Sequence, residues 1–161
     1  MVQAMIGVIG ASQADEELCS LAEKVGEGIA KRGGTVVCGG LTGVMEAVCR
    51  GARSMGGLTV GVLPSDDRLD ANDSVDIPIV TGMGVARNVI IVRTADVLIA
   101  IGGQFGTLSE MAHALNMGKT VVALRSWDLG RISEAVIEQL VRVDTAEGAV
   151  DAAFQAVKRE G

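Results

Sequence analysis

Apolar positions along the chain follow two alternating patterns. Short β-branched runs are apolar at consecutive positions, which is typical of parallel strands covered on both faces. The segments between them repeat at the helical period, as in the stripe formed by Leu18, Leu21, Ala22, Val25 and Ile29. The alternation predicts an α/β fold built on an open, mostly parallel, doubly wound sheet with helices on both faces.

The predicted elements follow from these patterns and from turn signals. The strands are Met5–Ile9, Thr35–Cys38, Leu58–Leu63, Ile77–Val80, Asp96–Ile101, Thr120–Leu124 and Leu140–Val143. The first helix is led by Ser12 as its cap and by the acidic run Asp15-Glu16-Glu17 as its first turn, and it ends at Lys31-Arg32-Gly33-Gly34. The other helices are Val44–Met55, Val85–Thr94, Thr107–Met117, Ile132–Glu138 and Glu147–Arg159. Residues 1–161 show no linker or repeat, so we expect one domain.

A polar segment, 64–74, follows the third strand directly. Its position predicts a loop at the carboxyl edge of the sheet. The loop is either an ordinary solvated connection or a lid whose acidic part, 66–76, closes over a site.

Composition narrows the function classes. Aromatic residues make up only 2% of the chain and the formal net charge is −6, which disfavours stacking on bases and binding to a nucleic-acid backbone. The cysteines Cys19, Cys38 and Cys49 form no C-x-x-C motif, which favours a reducing compartment. The apolar stretch at the start is too short for a signal peptide or a membrane span. We therefore expect a cytoplasmic protein that binds neither nucleic acid nor membrane.

Glycine-rich junctions follow four of the predicted strands. Glycine allows a ligand to approach the main chain, and the helix that follows directs unpaired amides and a positive dipole end at it. Because strand ends of a parallel sheet meet at one edge, the junctions together predict a phosphate-binding cleft, although each glycine could alone serve a tight turn. They are Gly10-Ala11-Ser12, Gly39-Gly40-Leu41-Thr42-Gly43, Thr81-Gly82-Met83-Gly84 and Gly102-Gly103-Gln104-Phe105-Gly106-Thr107.

Several familiar sites are excluded by motif. The first turn, Gly7-Val8-Ile9-Gly10-Ala11-Ser12, is not G-x-G-x-x-G, and the second predicted strand does not end in an acidic residue, so NAD binding is disfavoured. Neither G-x-x-x-x-G-K-[ST] nor Gly-x-Ser-x-Gly occurs. His113 is the only histidine, so we expect no metal site.

Two charged residues are candidates for chemistry at the cleft. Arg87 lies in the first turn of a predicted helix, where a cation opposes the helix dipole. It could pair with a phosphate or carboxylate, or form a salt bridge to the acidic segment 66–76. Glu110 follows Thr107 by three residues, so it either faces the cleft or closes a capping box on Thr107.

These residues resemble the Lonely Guy (LOG) family and relatives that carry a lysine decarboxylase label, most of all the short branch of molybdenum cofactor carrier proteins. The resemblance covers almost the whole chain. Its most specific parts are Gly39-Gly40-Leu41-Thr42-Gly43-Val44-Met45, Gly84-Val85-Ala86-Arg87-Asn88 and Gly102-Gly103-Gln104-Phe105-Gly106-Thr107-Leu108-Ser109-Glu110, the last being similar to P-G-G-x-G-T-x-x-E.

The resemblance implies a Rossmann-like fold, a homodimer or homotetramer, and a phosphorylated nucleotide-like or pterin-like ligand. It implies no required cofactor, and the molybdenum cofactor would be bound cargo. LOG enzymes cleave the N-glycosidic bond of a cytokinin riboside monophosphate. By resemblance, Arg87 matches their catalytic arginine and Glu110 their motif glutamate, while amides around Gly103, Gly106 and Thr107 would hold the phosphate.

The chain departs from the LOG pattern at several positions. Gly102 replaces the motif proline and Gln104 its second glycine, and Asn88, a further predicted ligand-binding residue, replaces a lysine. Binding is therefore favoured over cytokinin chemistry. Three functions remain open: a carrier of a phosphorylated small molecule, a phosphoribohydrolase acting on a nucleoside 5′-monophosphate, and a regulatory or structural oligomer.

Overall fold

The β-branched runs form one parallel sheet. The computed structural model describes residues 3–129 and 138–160. Within them the strand order is β4-β3-β2-β1-β5-β6-β7, and each neighbouring pair is parallel, which confirms the predicted doubly wound α/β architecture. The strands are β1 (Met5–Gly10), β2 (Thr35–Cys38), β3 (Thr59–Leu63), β4 (Ile77–Val80), β5 (Val97–Ile101), β6 (Val121–Leu124) and β7 (Leu140–Val143). Predicted and observed strand bounds differ by at most one residue.

Helices cover both faces of the sheet. They are α1 (Glu16–Lys31), α2 (Val44–Ser54), α3 (Asn88–Thr94), α4 (Phe105–Asn116) and α5 (Ala146–Glu160). Helices α1, α2 and α5 share one apolar core layer with the sheet, and α3 and α4 share the other. The predicted helix Ile132–Glu138 lies, from 132 to 137, outside the described residues. No helix in the described ranges is long and apolar enough to cross a membrane.

The N-terminus of α1 shows why one predicted cap is wrong. Asp15 has extended backbone angles, and its carboxylate accepts a hydrogen bond of 2.8 Å from the amide of Leu18. Asp15 therefore caps α1, as an N-cap aspartate does. Ser12 lies further back, in the β1–α1 loop, where its carbonyl accepts a hydrogen bond of 3.0 Å from Thr42 Oγ1.

Helix α4 begins two residues before the predicted start. Gln104, in extended conformation, is the N-cap, so Thr107 is the third residue of the helix and not its cap. The capping-box interpretation of Glu110 is therefore wrong. Burial of the helix stripe outweighed the low helix propensity of the Phe105-Gly106 start. Helix α3 differs in the opposite sense: it begins three residues after the predicted start at Val85, because Gly84–Arg87 forms a separate 3₁₀ turn.

The polar segment after β3 is attached to the β2–α2 loop. It contains a 3₁₀ turn at Arg68–Asp70, and Asn72 donates hydrogen bonds to the carbonyls of Gly40 (2.9 Å) and Leu41 (2.7 Å). Of the residues from 64 to 76, only Pro64 lines the cleft described next. The segment therefore serves as the crossover between β3 and β4 rather than as a cover in this conformation.

Candidate functional site

A cleft of about 270 Å³ opens at the carboxyl edge of the sheet, beyond β1, β2 and β5. Ligands of open parallel sheets bind at this edge. Of the residues predicted from the sequence, the cleft brings together Gly10, Ser12, Gly39, Arg87, Asn88, Gln104, Gly106, Thr107 and Glu110. Arg87 and Glu110 therefore line the same hollow.

Arg87 is buried in the cleft without a carboxylate partner. Only 8% of its surface is exposed, and burial lowers the pKa of its guanidinium from the ordinary value, while Glu110 and Cys38 oppose this shift. Nη1 donates to Oδ1 of Asn88. Within the described ranges no carboxylate oxygen lies within 4.0 Å of the guanidinium, so the salt bridge to segment 66–76 is wrong.

The guanidinium has room because of a glycine. A Cβ added at Gly39 would lie 2.5 Å from Arg87 Nη2 and 2.6 Å from Met45 Sδ, so any side chain there would displace Arg87. Nε of Arg87 is fully buried, and it is the one such side-chain nitrogen or oxygen in the described part of the chain that has no hydrogen-bond partner. A buried unsatisfied donor costs about 1–3 kcal/mol, more when it is charged, which marks a place for an acceptor.

Glu110 lies on α4 and faces the same cleft with 6% of its surface exposed. Burial raises the pKa of its carboxyl to about 7, and the positive charge of Arg87 opposes this rise. Near neutral pH the group is therefore divided between its two protonation states. It can donate a hydrogen bond to an anion or accept one from a hydroxyl group.

The raised pKa makes stability depend on pH. Between the ordinary value of 4.5 and about 7, the folded protein binds more protons at Glu110 than the unfolded chain does, so the free energy of unfolding falls as the pH rises through this window. The shift corresponds to roughly 3 kcal/mol at most. We expect Glu110→Gln to remove this fall, as measured by urea unfolding at pH 5 and pH 8.

The matched control for this variant is Glu138→Gln at an exposed position. Because many groups titrate, the informative quantity is the difference between each variant and the wild type at the two pH values. If Glu110→Gln and Glu138→Gln change the pH dependence equally, Glu110 does not have the raised pKa.

The N-terminus of α4 supplies main-chain donors. The amides of Phe105, Gly106 and Thr107 precede the first intrahelical bond, which Leu108 makes to the Gln104 carbonyl at 3.0 Å. Gln104 does not cap the helix with its side chain. Gly106 leaves the approach open, since a Cβ built there has no heavy atom within 4 Å. Free amides at the positive end of a helix dipole are suited to an anion.

Other predicted residues lie outside the cleft lining and hold the loops that form it. Gly43, with φ of +67°, brings its loop against the first one: a Cβ there would lie 2.4 Å from the Ala11 carbonyl oxygen. Thr42 bonds to the carbonyl of Ser12, and Val44 N bonds to the carbonyl of Ala11 at 3.1 Å.

The remaining predicted residues pack elsewhere. Gly40 (φ +72°) lies against Leu63, and Gly102 (φ +56°) against Leu18. Gly103 is pressed against the Thr107 side chain, and Phe105 lies outside the cleft, stacked on Trp127. The third glycine junction, 81–84, does not line the cleft, although Val85 directly after it does.

The structure adds residues that the sequence analysis did not select. They are mostly apolar: Val8, Ile9, Ala11, Leu41, Met45, Pro64 and Val85 line the cleft. Val8 and Ile9 lie in β1 and Met45 in α2, and the other four flank turn residues. The apolar character of all seven residues indicates only core packing. In the described ranges no group of three or more His, Cys, Asp or Glu could hold a metal ion, and His113 is exposed on α4.

The chain is similar to known proteins in both sequence and structure. Residues 3–156 match the model of the SLOG cluster4 family. In sequence, the chain is 36% identical over 165 residues to a cytokinin riboside 5′-monophosphate phosphoribohydrolase of Mycobacterium tuberculosis, with 88% of each chain covered.

Two solved structures are similar along nearly their full length. A molybdenum cofactor binding protein from Rippkaea orientalis has a TM-score of 0.91 at 38% identity. The molybdenum cofactor carrier protein of Chlamydomonas reinhardtii has a TM-score of 0.89 at 34% identity. In both comparisons 98% of this chain and 99% of the other chain are covered. The match confirms the Rossmann-like fold and the resemblance to carrier proteins.

Proposed function

Because the chain belongs to the SLOG cluster4 family, we propose that it is a binding protein for a phosphorylated nucleotide-like or pterin-like small molecule. The phosphate would lie between the guanidinium of Arg87 and the first amides of α4. The similar proteins from R. orientalis and C. reinhardtii are described as binding or carrying the molybdenum cofactor, and this cofactor is our leading candidate for the cargo.

One observation gives this proposal its strongest support. Nε of Arg87 is buried and unsatisfied at a cleft lined by Gly106 and Thr107, whose amides have no intrahelical acceptor. A phosphate oxygen would satisfy donors of both kinds at once, and charge-assisted hydrogen bonds of this type are about twice as strong as neutral ones. The protein would hold this cargo through its phosphate. It would therefore need no side chain that binds the metal of the cargo.

Calorimetric titration tests the proposal with matched pairs of ligands. Adenosine 5′-monophosphate, guanosine 5′-monophosphate and ribose 5-phosphate are compared with adenosine, guanosine and ribose. We expect the phosphorylated member of each pair to bind more tightly, with no free base released. Equal affinities within every pair contradict phosphate recognition.

A second candidate function is favoured by Glu110. A buried carboxyl with a pKa of about 7 beside Arg87 could stabilise an oxocarbenium-like ribose and direct a water, as a phosphoribohydrolase requires. The similarity to the M. tuberculosis enzyme supports the same candidate. Release of base and ribose 5-phosphate by the wild type, lost in Glu110→Gln while binding remains, would establish hydrolysis.

Gly106 offers a variant that separates binding from folding. A methyl group at this position meets no other heavy atom, and replacing glycine by alanine within a helix stabilises by about 0.5–1 kcal/mol. The methyl group would occupy the path to the α4 amides. We therefore expect Gly106→Ala to raise the free energy of unfolding in urea and to weaken ribose 5-phosphate binding about tenfold or more, the loss of one charge-assisted bond. Unchanged affinity places the phosphate elsewhere.

Assembly and location belong to the same proposal. We propose a homodimer or homotetramer, supported by the exposed apolar side chains Ile77, Ile79 and Val80 on the edge strand β4. We propose a cytoplasmic location, supported by three cysteines that form no C-x-x-C motif.

A further inference from the structure

Two aromatic rings stack on the surface beside the cleft. The centroids of Phe105 and Trp127 are 6.1 Å apart, with 22° between the ring planes. Phe105 is the first residue of α4 and is 81% exposed. Trp127 Nε1 donates to the carbonyl of Gln104 at 3.3 Å, which holds the indole against the same turn.

The pair is unusual in a chain with so few aromatic residues. The sequence contains one tryptophan, two phenylalanines and no tyrosine. The other phenylalanine, Phe154, is half-buried and lies under the guanidinium of Arg32 at 5.6 Å. A bare phenyl ring on a helix N-terminus is costly in water, so its exposure marks a surface that a ligand or partner can cover.

A hollow of about 460 Å³ lies against these rings, beside the cleft. Its lining is Gly103, Gln104, Phe105, Gly106 and Trp127. Gln104 and Gly106 also line the Arg87 cleft, so the two spaces meet at the first turn of α4. The cleft alone, at about 270 Å³, is small beside the roughly 300–1,000 Å³ that small-molecule sites occupy, whereas the two together suit a nucleotide-sized ligand.

We propose that Phe105 and Trp127 form a stacking subsite for the planar heteroaromatic ring of the ligand whose phosphate lies at Arg87. This inference rests on the proposed function and adds the part of the ligand that distinguishes it from a simple sugar phosphate. Stacking tolerates different ring systems, because a purine and a pterin each present a π face. The phosphate end anchors the ligand, and the aromatic pair selects ligands that carry a ring.

The fluorescence of Trp127 can report ligand binding at the two rings, because Trp127 is the only tryptophan and no tyrosine is present. The probes are adenosine 5′-monophosphate, which has a ring, and ribose 5-phosphate, which has none. Both are titrated by calorimetry and by tryptophan fluorescence. We expect both to bind, adenosine 5′-monophosphate about tenfold more tightly, as stacking of one base predicts, and with a change in emission that ribose 5-phosphate does not produce.

Phe105→Leu keeps an apolar side chain and removes the aromatic face. We expect it to weaken adenosine 5′-monophosphate binding about tenfold more than ribose 5-phosphate binding, because the main-chain amide at this position is retained and only the aromatic face is lost. Phe154→Leu, the matched control on the opposite layer of helices, leaves both affinities unchanged. The free energy of unfolding of each variant verifies that it is folded.

The remaining outcomes separate this inference from the proposal on which it rests. If the wild type binds both probes equally, or if Phe105→Leu weakens both equally, the stacking subsite is wrong and phosphate binding stands. If Phe105→Leu changes the oligomeric mass in native mass spectrometry and neither affinity, the rings form a contact between copies and the subsite is wrong. If the wild type binds neither probe, the proposed function fails together with the subsite.

Discussion

Replacing Arg87 by methionine is expected to weaken ribose 5-phosphate binding about 30-fold or more, since truncating one member of a buried charged pair costs about 2–5 kcal/mol. The cause is specific: the variant loses the unsatisfied Nε and the positive charge in the cleft while keeping an unbranched apolar side chain. Calorimetry at pH 6, where a pKa of about 7 leaves Glu110 mostly protonated, measures the loss.

The same variant should fold at least as well as the wild type at that pH. Burial lowers the pKa of Arg87, so its charge is held at a cost to the folded state. Arg93→Met, in the last turn of α3 and exposed, is the matched control and should leave both affinity and stability unchanged. If Arg87→Met unfolds the protein or binds like the wild type, Arg87 has a structural role only.

The second large effect is expected at Gly43, where a substitution should destabilise the whole loop cluster. Its φ of +67° and ψ of −126° are tolerated almost only by glycine, and an added Cβ would lie 2.4 Å and 2.6 Å from the carbonyl oxygens of Ala11 and Ser12. We expect Gly43→Ala to lower the free energy of unfolding by about 3–5 kcal/mol, combining backbone strain with a clash. Urea unfolding measures this change.

Gly56 separates the two contributions. It also has a positive φ, of +73°, but a Cβ there has no heavy atom within 4 Å, so Gly56→Ala reports backbone strain alone at about 1–2 kcal/mol. Similar losses in the two variants would show that the contact between the loops of Gly43 and Ala11 contributes little. The difference between the variants combines this contact with the additional backbone strain that a ψ of −126° imposes at Gly43.

The sheet and most helices could be predicted because their signals are local. The run Ile6-Gly7-Val8-Ile9 is apolar at consecutive positions, which only a strand covered on both faces accommodates in so few residues. The α1 stripe at Leu18, Val25 and Ile29 is equally local. The start of α4 was predicted wrongly because Phe105-Gly106 resembles a loop by propensity, and tertiary burial decided otherwise.

The site was only partly predictable because burial is a long-range property. The sequence indicated that Arg87 and Glu110 could meet, but not that Arg87 would be buried without a carboxylate, which depends on the absent side chain of Gly39 in a distant loop. Trp127 was missed for the same reason. Its contacts with Phe105 and Gln104 span more than twenty residues, and nothing adjacent to it in the sequence marks them.

The proposed binding function comes with a stability cost at the cleft. Arg87 and Glu110 are both buried, and burial disfavours the charged form of each. Without a ligand these costs remain; a bound phosphate would satisfy the guanidinium, and a protonated Glu110 could donate to it. Ligand binding should therefore raise the pKa of Glu110 further, and anion affinity should be higher below pH 7 than above it.

A phosphate bound between Arg87 and the first turn of α4 would contact the guanidinium and the helix amides together. Proton–nitrogen correlation NMR of the ¹⁵N-labelled protein, titrated with ribose 5-phosphate, observes both groups of donors directly. We expect the Arg87 Nε–H signal and the Gly106 and Thr107 amide signals to shift together and to saturate with one dissociation constant. Saturable shifts that leave these three signals unmoved would contradict this placement of the phosphate.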